Sequence, residues 1–309
     1  MKINQILVLV IALVFVFAMT AEAQWGQQAP SVTQSVGNNG AVNWSNQIIQ
    51  ATGIGAGNPN QPLHAQRAMA IRAAKVDAWR NLLESIKGVS LSSETTVRNA
   101  MVESDVIQTK VEGILKGFSQ VGEPKYLSDG SVEVTVQIPL TGALTDAILP
   151  SNFGGGQLMS GGQPLCPTCG QPWPAGKPVP PGVNLVQPSG YNTGSGAVYT
   201  GLIVNAKGLN VRPAMAPKVV DENGNEIYGS KFVDRKWAVE MGMVGYDKDV
   251  NRARSNDRVT ANPLIVNAIK TSGPNKADLV ISANDAAAIH SAAANQNFLD
   301  KCKVMFVVD

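Results

Sequence analysis

Cysteine, histidine and aromatic residues are scarce in this chain. Its 309 residues include 3 Cys and 2 His, and Phe, Trp and Tyr together make up 6%. So few thiols and imidazoles leave little material for a catalytic or metal-binding site, and so few rings give no platform for stacking sugars or bases. Basic and acidic residues nearly balance, at 25 and 23, without a basic run, so we do not expect nucleic acid as a partner.

The sequence also lacks recognisable catalytic motifs. No Gly-x-Ser-x-Gly elbow occurs. Gly53-Ile-Gly-Ala-Gly57 lacks the spacing and the immediate helix of a dinucleotide-binding loop, so we interpret it as a strand that loosens into a turn. His64 and His290 are interpreted as surface or packing residues. Asp285 and His290 are five positions apart, a spacing that does not place them on one helix face. These observations predict a protein that is not an enzyme and uses no cofactor.

The first residues predict export. Lys2 precedes an unbroken apolar run from Ile6 to Met19. Ala21-Glu22-Ala23 then matches the Ala-x-Ala cleavage site of a secretory signal peptide, with cleavage expected before Gln24. The alternative is a membrane anchor, but the run is shorter than the roughly 20 residues of a spanning helix. No cysteine near the exit could accept a lipid. We therefore expect a protein that is soluble in the periplasm or held at the outer membrane by other proteins.

Composition divides the rest of the chain. A stretch rich in Gln, Asn, Gly and Ser follows the leader, and a later stretch is dominated by glycine and proline, as in a linker with flexible and stiff parts. The predicted segments are a signal peptide (1–23), a flexible lead-in (24–45), a first α+β domain (46–149), a Gly/Pro-rich linker (150–197) and a second α+β domain (198–309). In both domains we expect helices on one face of a mainly antiparallel sheet.

Residues 62–88 predict one long amphipathic helix. Pro62 suits its first turn, and Gly88 suits the position just past its end. Arg72 and Lys75 lie near the apolar stripe, where their stems are expected to follow the core and reach water; the alternative is a buried ion pair. The apolar residues at helical spacing, which we expect on the buried face, are Ala68, Val76, Trp79, Leu82, Leu83 and Ile86.

The other elements follow from alternation, turn and cap signals. Asp129-Gly130 and Asn223-Gly224 predict hairpins, and Ser104 and Asn284 are predicted N-caps. In the first domain we expect strands at 47–56, 89–102, 120–127 and 131–138 and a helix at 105–118. In the second we expect strands at 198–206, 264–269, 278–282 and 302–308, a hairpin at 215–228 and a helix at 284–295, with 239–250 ambiguous.

One cysteine pair, Cys166 and Cys169, carries the sharpest local chemistry. Cys166-Pro-Thr-Cys169-Gly resembles one knuckle of a zinc ribbon, which supplies two of four tetrahedral ligands. Cys302 is the one further thiol, so the pair is half a zinc site that sharing between subunits would complete. A local disulfide suits an oxidising compartment better. A redox pair is the third alternative, although the surrounding Pro/Gly linker does not suit a thioredoxin-like setting.

One set of residues in the first domain forms a recognisable signature: Arg72-Ala73-Ala74, Asp77-Ala78, Arg80, Leu82, Glu84, Ile86, Gly88-Val89, Thr95-Thr96-Val97, Gly113, Gly117, Asp129-Gly130, Val132-Glu133-Val134 and Pro139-Leu140. This set resembles the "lipoprotein twenty" family of bacterial envelope proteins, which includes a flagellar basal-disc protein and is related to the N-terminal domain of a flagellar assembly protein. The resemblance implies a non-catalytic, oligomerising envelope module. The chain departs from the lipid-anchored members because it has no acceptor cysteine near the leader.

Three functional hypotheses follow. The first is a structural or scaffolding envelope protein that forms homo-oligomers and contacts other envelope proteins, in the periplasm or at the outer membrane and with a flagellum as one setting. Unpaired sheet edges would then be available for pairing between subunits. The second is a monomeric adaptor whose two domains bind different partners across a flexible linker. The third is a periplasmic redox or zinc-binding protein that acts through Cys166 and Cys169.

Overall fold

The computed structural model describes residues 30–150, 166, 173, 177–185, 198–295 and 297–309. Within these residues the chain forms seven helices and twelve strands, and the strands make two sheets of five and seven. This architecture confirms the α+β class. The predicted signal peptide and Cys169 lie outside the described residues.

The first sheet is antiparallel and has the strand order β1-β2-β3-β5-β4. Its strands are β1 (Thr33–Val36), β2 (Gly40–Asn43), β3 (Ile48–Gly55), β4 (Ser119–Tyr126) and β5 (Val132–Pro139). The predicted flexible lead-in is therefore wrong for residues 33–43, which form β1 and β2. Gly37, at φ +69°, allows the turn between them, and burial of Val36 and Val42 holds the hairpin on the core.

Four helices accompany this sheet: α1 (Leu63–Lys87), α2 (Val97–Glu103), α3 (Asp105–Leu115) and α4 (Ala143–Ile148). The strand predicted at 89–102 is wrong, because this segment holds an isolated bridge between Ser90 and Thr96 and then the helix α2. The Thr96 hydroxyl accepts a hydrogen bond from the Asn99 amide at 3.4 Å, which starts a helix where the apolar pattern suggested a strand. Ser104 caps α3, as predicted.

Small residues bring α1 very close to β3. The buried residues of α1 include Ala70, Ala74 and Ala78, one helical turn apart. They face Gly53 and Gly55, so close that a Cβ added at Gly53 would lie 2.0 Å from the Ala78 amide nitrogen. The glycine run is thus a strand that packs on a helix. The predicted buried stripe is partly wrong, since Leu82 and Ile86 are buried while Ala68 and Val76 are exposed.

The second sheet differs from the prediction. Its strands are β6 (Gly201–Asn205), β7 (Val219–Val220), β8 (Glu226–Tyr228), β9 (Gly245–Asp247), β10 (Pro263–Ser272), β11 (Asp278–Ile281) and β12 (Val304–Val307), in the order β8-β7-β11-β10-β6-β12-β9. Four neighbouring pairs are parallel and two are antiparallel, so the expected mainly antiparallel sheet is wrong here. Helical segments between strands provide the crossovers that parallel pairing requires.

Helices lie on both faces of this second sheet. They are α5 (Arg235–Met241), α6 (Val250–Arg254) and α7 (Ala283–Asn295). Ile203 and Met305 pack with Ala253 of α6, whereas Leu202 and Phe306 point the other way, into the main core that contains α5 and α7. Ser282, rather than Asn284, caps α7, since its hydroxyl accepts from the Asp285 amide at 3.0 Å.

The two sheets and their helices form an N-terminal lobe (32–149) and a C-terminal lobe (198–309), which meet along a seam. Their buried apolar residues belong to one cluster. At one end of the seam the Gly142 amide donates to the Val239 carbonyl at 2.7 Å, and Trp44 packs edge-on against Tyr246 at 5.6 Å. At the other end the residue 90–93 loop bonds to the segments around 215 and 275. Among the described residues, no helix combines the length and apolar content of a membrane span.

Candidate functional site

The cysteines do not come together in the described part of the chain. Cys166 is half-buried in the linker, while its partner Cys169 lies outside the described residues, so the disulfide and zinc hypotheses stay predictions. Cys302 is fully buried in the C-terminal lobe. Burial raises the pKa of the Cys302 thiol to about 12, which the hydrogen bond with Tyr228 only partly offsets. Zinc binds the thiolate, so Cys302 is poorly suited to complete such a site.

The two histidines lie in different lobes and different environments. His64 is exposed in the first turn of α1. His290 lies in α7 with 5% of its surface exposed and with its ring edge-on to Phe232 at 6.3 Å. Burial lowers the pKa of His290 to about 4, and among the described residues its Nδ1 has no hydrogen-bond partner. His290 is therefore a neutral packing residue near pH 7.

A half-buried arginine connects loops of the C-terminal lobe. The Arg258 guanidinium donates to the carbonyls of Gly242 and Cys302, each at 2.9 Å, and to that of Met241. Burial lowers the pKa of Arg258. Because all its named acceptors are backbone carbonyls, this guanidinium fixes the loop after α5 rather than presenting a charge to a ligand.

Another buried charged group, Asp278, belongs to the seam. The Ser93 hydroxyl donates to its carboxylate at 2.5 Å from the N-terminal lobe, and the Lys218 amide donates at 2.8 Å. Burial raises the pKa of the Asp278 carboxyl, against the effect of these two donors. This aspartate therefore connects the two lobes, and its carboxylate oxygens accept hydrogen bonds within the protein.

The seam also holds a cavity of about 20 Å³, lined by residues that include Trp44, Gln47, Thr145 and Tyr246. That volume matches about one water molecule. The Gln47 side chain crosses the seam beside it and donates to the Val244 carbonyl at 3.2 Å. The cavity is thus a feature of lobe packing and is too small for an organic ligand.

The sheet of the N-terminal lobe presents a polar face on the side away from α1. We define this polar face as Gln50, Thr52, Ile54, Thr135 and Gln137. Its side chains pair across β3 and β5: Gln50 Nε2 donates to Gln137 Oε1 at 3.0 Å, and the Thr52 and Thr135 hydroxyls lie 3.2 Å apart. The four polar residues are half-buried and Ile54 is half-exposed. The polar face is thus an ordered surface of paired side chains.

The outer side of α1 forms a second surface, on the opposite side of the lobe. We define this basic face as Met69, Arg72, Val76 and Arg80, which lie opposite the alanines that pack on β3. Met69 is 44% exposed and Val76 is 51% exposed, and both arginines are exposed. Arg72 thus reaches water, as predicted, but from the side of α1 opposite the core rather than along the core. The sequence did not predict this surface, because Val76 was expected on the buried side of the helix.

The sheet edges are less suited to pairing than the sequence suggested. Edge strand β4 has an irregular register between Val121 and Lys125, a stretch that contains Gly122 at φ +67° and Pro124. A bulge, a proline and a lysine are devices that discourage edge-to-edge association. The edges β1, β8 and β9 have only three or four residues each. Faces of the lobes are therefore better candidates for contacts than edges.

Comparisons with known proteins concern the C-terminal lobe. Residues 201–309 match a family model described as "Treponema pallidum Tp0624, second domain". The match begins with β6 and includes the whole seven-stranded sheet, so this lobe is similar to that domain. No curated protein matches the chain.

Proposed function

We propose that this chain is a non-catalytic structural protein of the cell envelope that assembles with copies of itself. The supporting observation is the polar face, an ordered surface of paired side chains on a sheet that the seam connects to the second lobe. Side chains already paired with each other lose little conformational entropy on contact. Asp278 and His290 are buried, and the Arg258 guanidinium is bonded to backbone carbonyls, which fits a protein that works through surfaces.

The dimensions of the polar face suit a self-contact. The side of the sheet that carries the polar face has three strands of eight residues and two of four, about 4.8 Å apart, which cover about 500 Å² per subunit. Two such faces would bury about 1,000 Å², near the smallest area of a specific interface. Two sheets packed face to face about 10 Å apart would let the Thr and Gln side chains of one copy interdigitate with those of another.

Self-assembly is tested by light scattering on the exported protein at micromolar concentration. We expect an oligomer, and we expect Thr52→Lys with Thr135→Lys to give monomers, because like charges would face each other across the contact. Thr109→Lys, at an exposed position of α3, is the matched control and leaves the oligomer intact. A monomeric wild-type protein would contradict the proposal.

Export is a separate part of the proposal, supported by the apolar leader and its Ala-x-Ala exit. We expect the chain recovered from the cell envelope to begin at Gln24. Mass spectrometry of that fraction checks this. Recovery of the intact chain from the cytoplasm alone would contradict it.

The adaptor hypothesis finds less support. It requires lobes that move independently across a linker, whereas the described lobes share an apolar core and exchange hydrogen bonds along the seam. A rigid two-lobe body suits an assembled scaffold better than a flexible bridge.

A further inference from the structure

We propose that the basic face of α1 binds the headgroups of anionic membrane lipids. This inference goes beyond self-assembly and does not depend on it, because α1 and the polar face lie on opposite sides of the same sheet. The proposal follows from the charge, the exposed apolar side chains and the shape of this helix.

The charge on the first half of α1 has one sign. Arg67, Arg72 and Lys75 precede its first acidic residue, Asp77. The Asp77 carboxylate accepts a hydrogen bond from the Ile54 amide at 3.0 Å, so it is turned toward the sheet and away from the basic face. Arg80 extends the positive side by another two turns, and an uncompensated positive surface attracts anionic partners.

The next acidic residue does not neutralise this surface. Glu84 bonds to Lys87 at 2.8 Å and lies 3.4 Å from Arg98, near the C-terminal end of the helix. Those two cations hold the pKa of the Glu84 carboxyl below its usual value, the Lys87 hydrogen bond most strongly. The arginines of the basic face therefore keep their charge available.

Apolar side chains are interleaved with the arginines. Met69 and Val76 are seven positions apart on one line of the helix, with Arg72 between them. At a membrane surface, apolar side chains enter the boundary of the acyl chains while guanidinium groups stay with the phosphates. The same mixture suits a purely apolar protein contact poorly, because it would bury the arginines without counter-charges.

Shape and charge favour a membrane over a protein partner. Peptide helices bind in grooves between two elements, whereas Met69 and Val76 are exposed on the outer side of one helix. A second copy docked on the same face would bring Arg72 and Arg80 of both chains together, and like charges repel. A planar anionic membrane needs no groove on the protein, and its negative charge attracts Arg72 and Arg80.

The test is co-flotation of the exported protein with vesicles made of equal parts phosphatidylcholine and phosphatidylglycerol. We expect binding that weakens as salt rises. Each basic residue near an anionic surface contributes roughly fivefold to the binding constant, so Arg72→Gln with Arg80→Gln should weaken binding roughly 25-fold. Met69→Ser with Val76→Ser should weaken binding at every salt concentration.

The matched control, Lys207→Gln with Arg254→Gln, removes two exposed positive charges from the C-terminal lobe and should retain wild-type binding. Wild type and variants are the same exported chain, so any other contact with lipid is common to all of them. Circular dichroism verifies the fold of each variant. Light scattering on the Arg72/Arg80 variant should show an unchanged oligomer, which separates this inference from self-assembly.

Four results would overturn the inference: no binding to the mixed vesicles, equal binding to pure phosphatidylcholine, equal loss in the control, or tighter binding to polyglutamate than to the vesicles. The last would assign the basic face to an acidic protein.

Discussion

At the scale of single residues, the contact between Gly53 and α1 shows how a missing side chain determines packing. The strand lies against the helix backbone, and Ala74 and Ala78 leave the space that this requires. The spacing of apolar residues could not reveal this contact, because that pattern assigns large side chains such as Val76 to the buried face. The available sequence signal was the alternation of Gly53, Gly55 and Gly57, which marks a close approach of another backbone.

A substitution at this position should therefore be severe. We expect Gly53→Ala to destabilise the protein by about 3 kcal/mol, because its Cβ would meet backbone atoms that cannot move aside without shifting the helix. Gly113→Ala is the control: Gly113 lies in α3 with nothing near its added Cβ. It should stabilise the protein by about 0.5–1 kcal/mol. Urea denaturation measures both, and similar midpoints for the two variants would contradict the close contact.

The buried His290 should make stability depend on pH. Its pKa is lowered to about 4 in the fold, whereas an unfolded histidine titrates near 6.5. The contribution is therefore fully present above about pH 6.5 and is lost as pH falls toward 4, a loss of about 3 kcal/mol.

The measurement is the free energy of unfolding across this pH range, in wild type and in His290→Leu. The difference between the two should shrink or reverse as pH falls, because the variant has no imidazole to protonate. His64→Leu makes the same exchange at the exposed histidine and should leave the pH dependence as in wild type. Parallel curves for wild type and His290→Leu would show that His290 stays accessible to protons in the folded state.

At the scale of elements, the sequence predicted hairpins well and N-caps in part, since Ser282 rather than Asn284 caps α7. Ser104 caps α3 and Asp129-Gly130 closes the β4–β5 hairpin, as expected from local rules. Local rules also explain the failure at 89–102, where the Thr96 cap outweighed the β-branched composition. The parallel pairing of β6, β10 and β12 was missed because it depends on contacts between segments far apart in sequence.

The cap of α2 can be tested directly. We expect Thr96→Ala to cost about 1 kcal/mol, because it removes the hydroxyl that accepts from the Asn99 amide. Thr96→Ser keeps the hydroxyl and should recover most of this loss. Thr109→Ala, at an exposed position within α3, should be nearly neutral. Thermal unfolding measures all three, and a neutral Thr96→Ala would contradict the role of the cap.

At the scale of the whole molecule, the seam decides how the lobes behave. Sequence reasoning separated two α+β regions by composition, but it could not predict that Ser93 and Asp278, 185 positions apart, would bond. Short loops such as 90–93 carry no periodic signal, and their partners are fixed only when both lobes are folded. The polar and basic faces were likewise missed, since each requires knowing which side of β3 α1 covers.

Because the seam is shared, we expect the lobes to unfold in one transition. Ser93→Ala removes a donor to a buried carboxylate and should cost about 1–3 kcal/mol. Hydrogen exchange in β5 and in β12 should report the same loss of stability. Ser255→Ala, at an exposed serine of the C-terminal lobe, should change neither. Loss of protection confined to one lobe would mean that the lobes are energetically independent.

The strand order of the first sheet also bears on how the chain reaches its native state. Strand β3 sits in the middle of its sheet, yet Thr52 and its partner Thr135 are 83 positions apart. A nascent polypeptide that emerges N-terminus first from a ribosome or translocon therefore exposes one flank of β3 until β5 follows. Such a flank invites mispairing with other nascent chains. A chaperone that shields extended segments during this interval would raise the yield of folded protein.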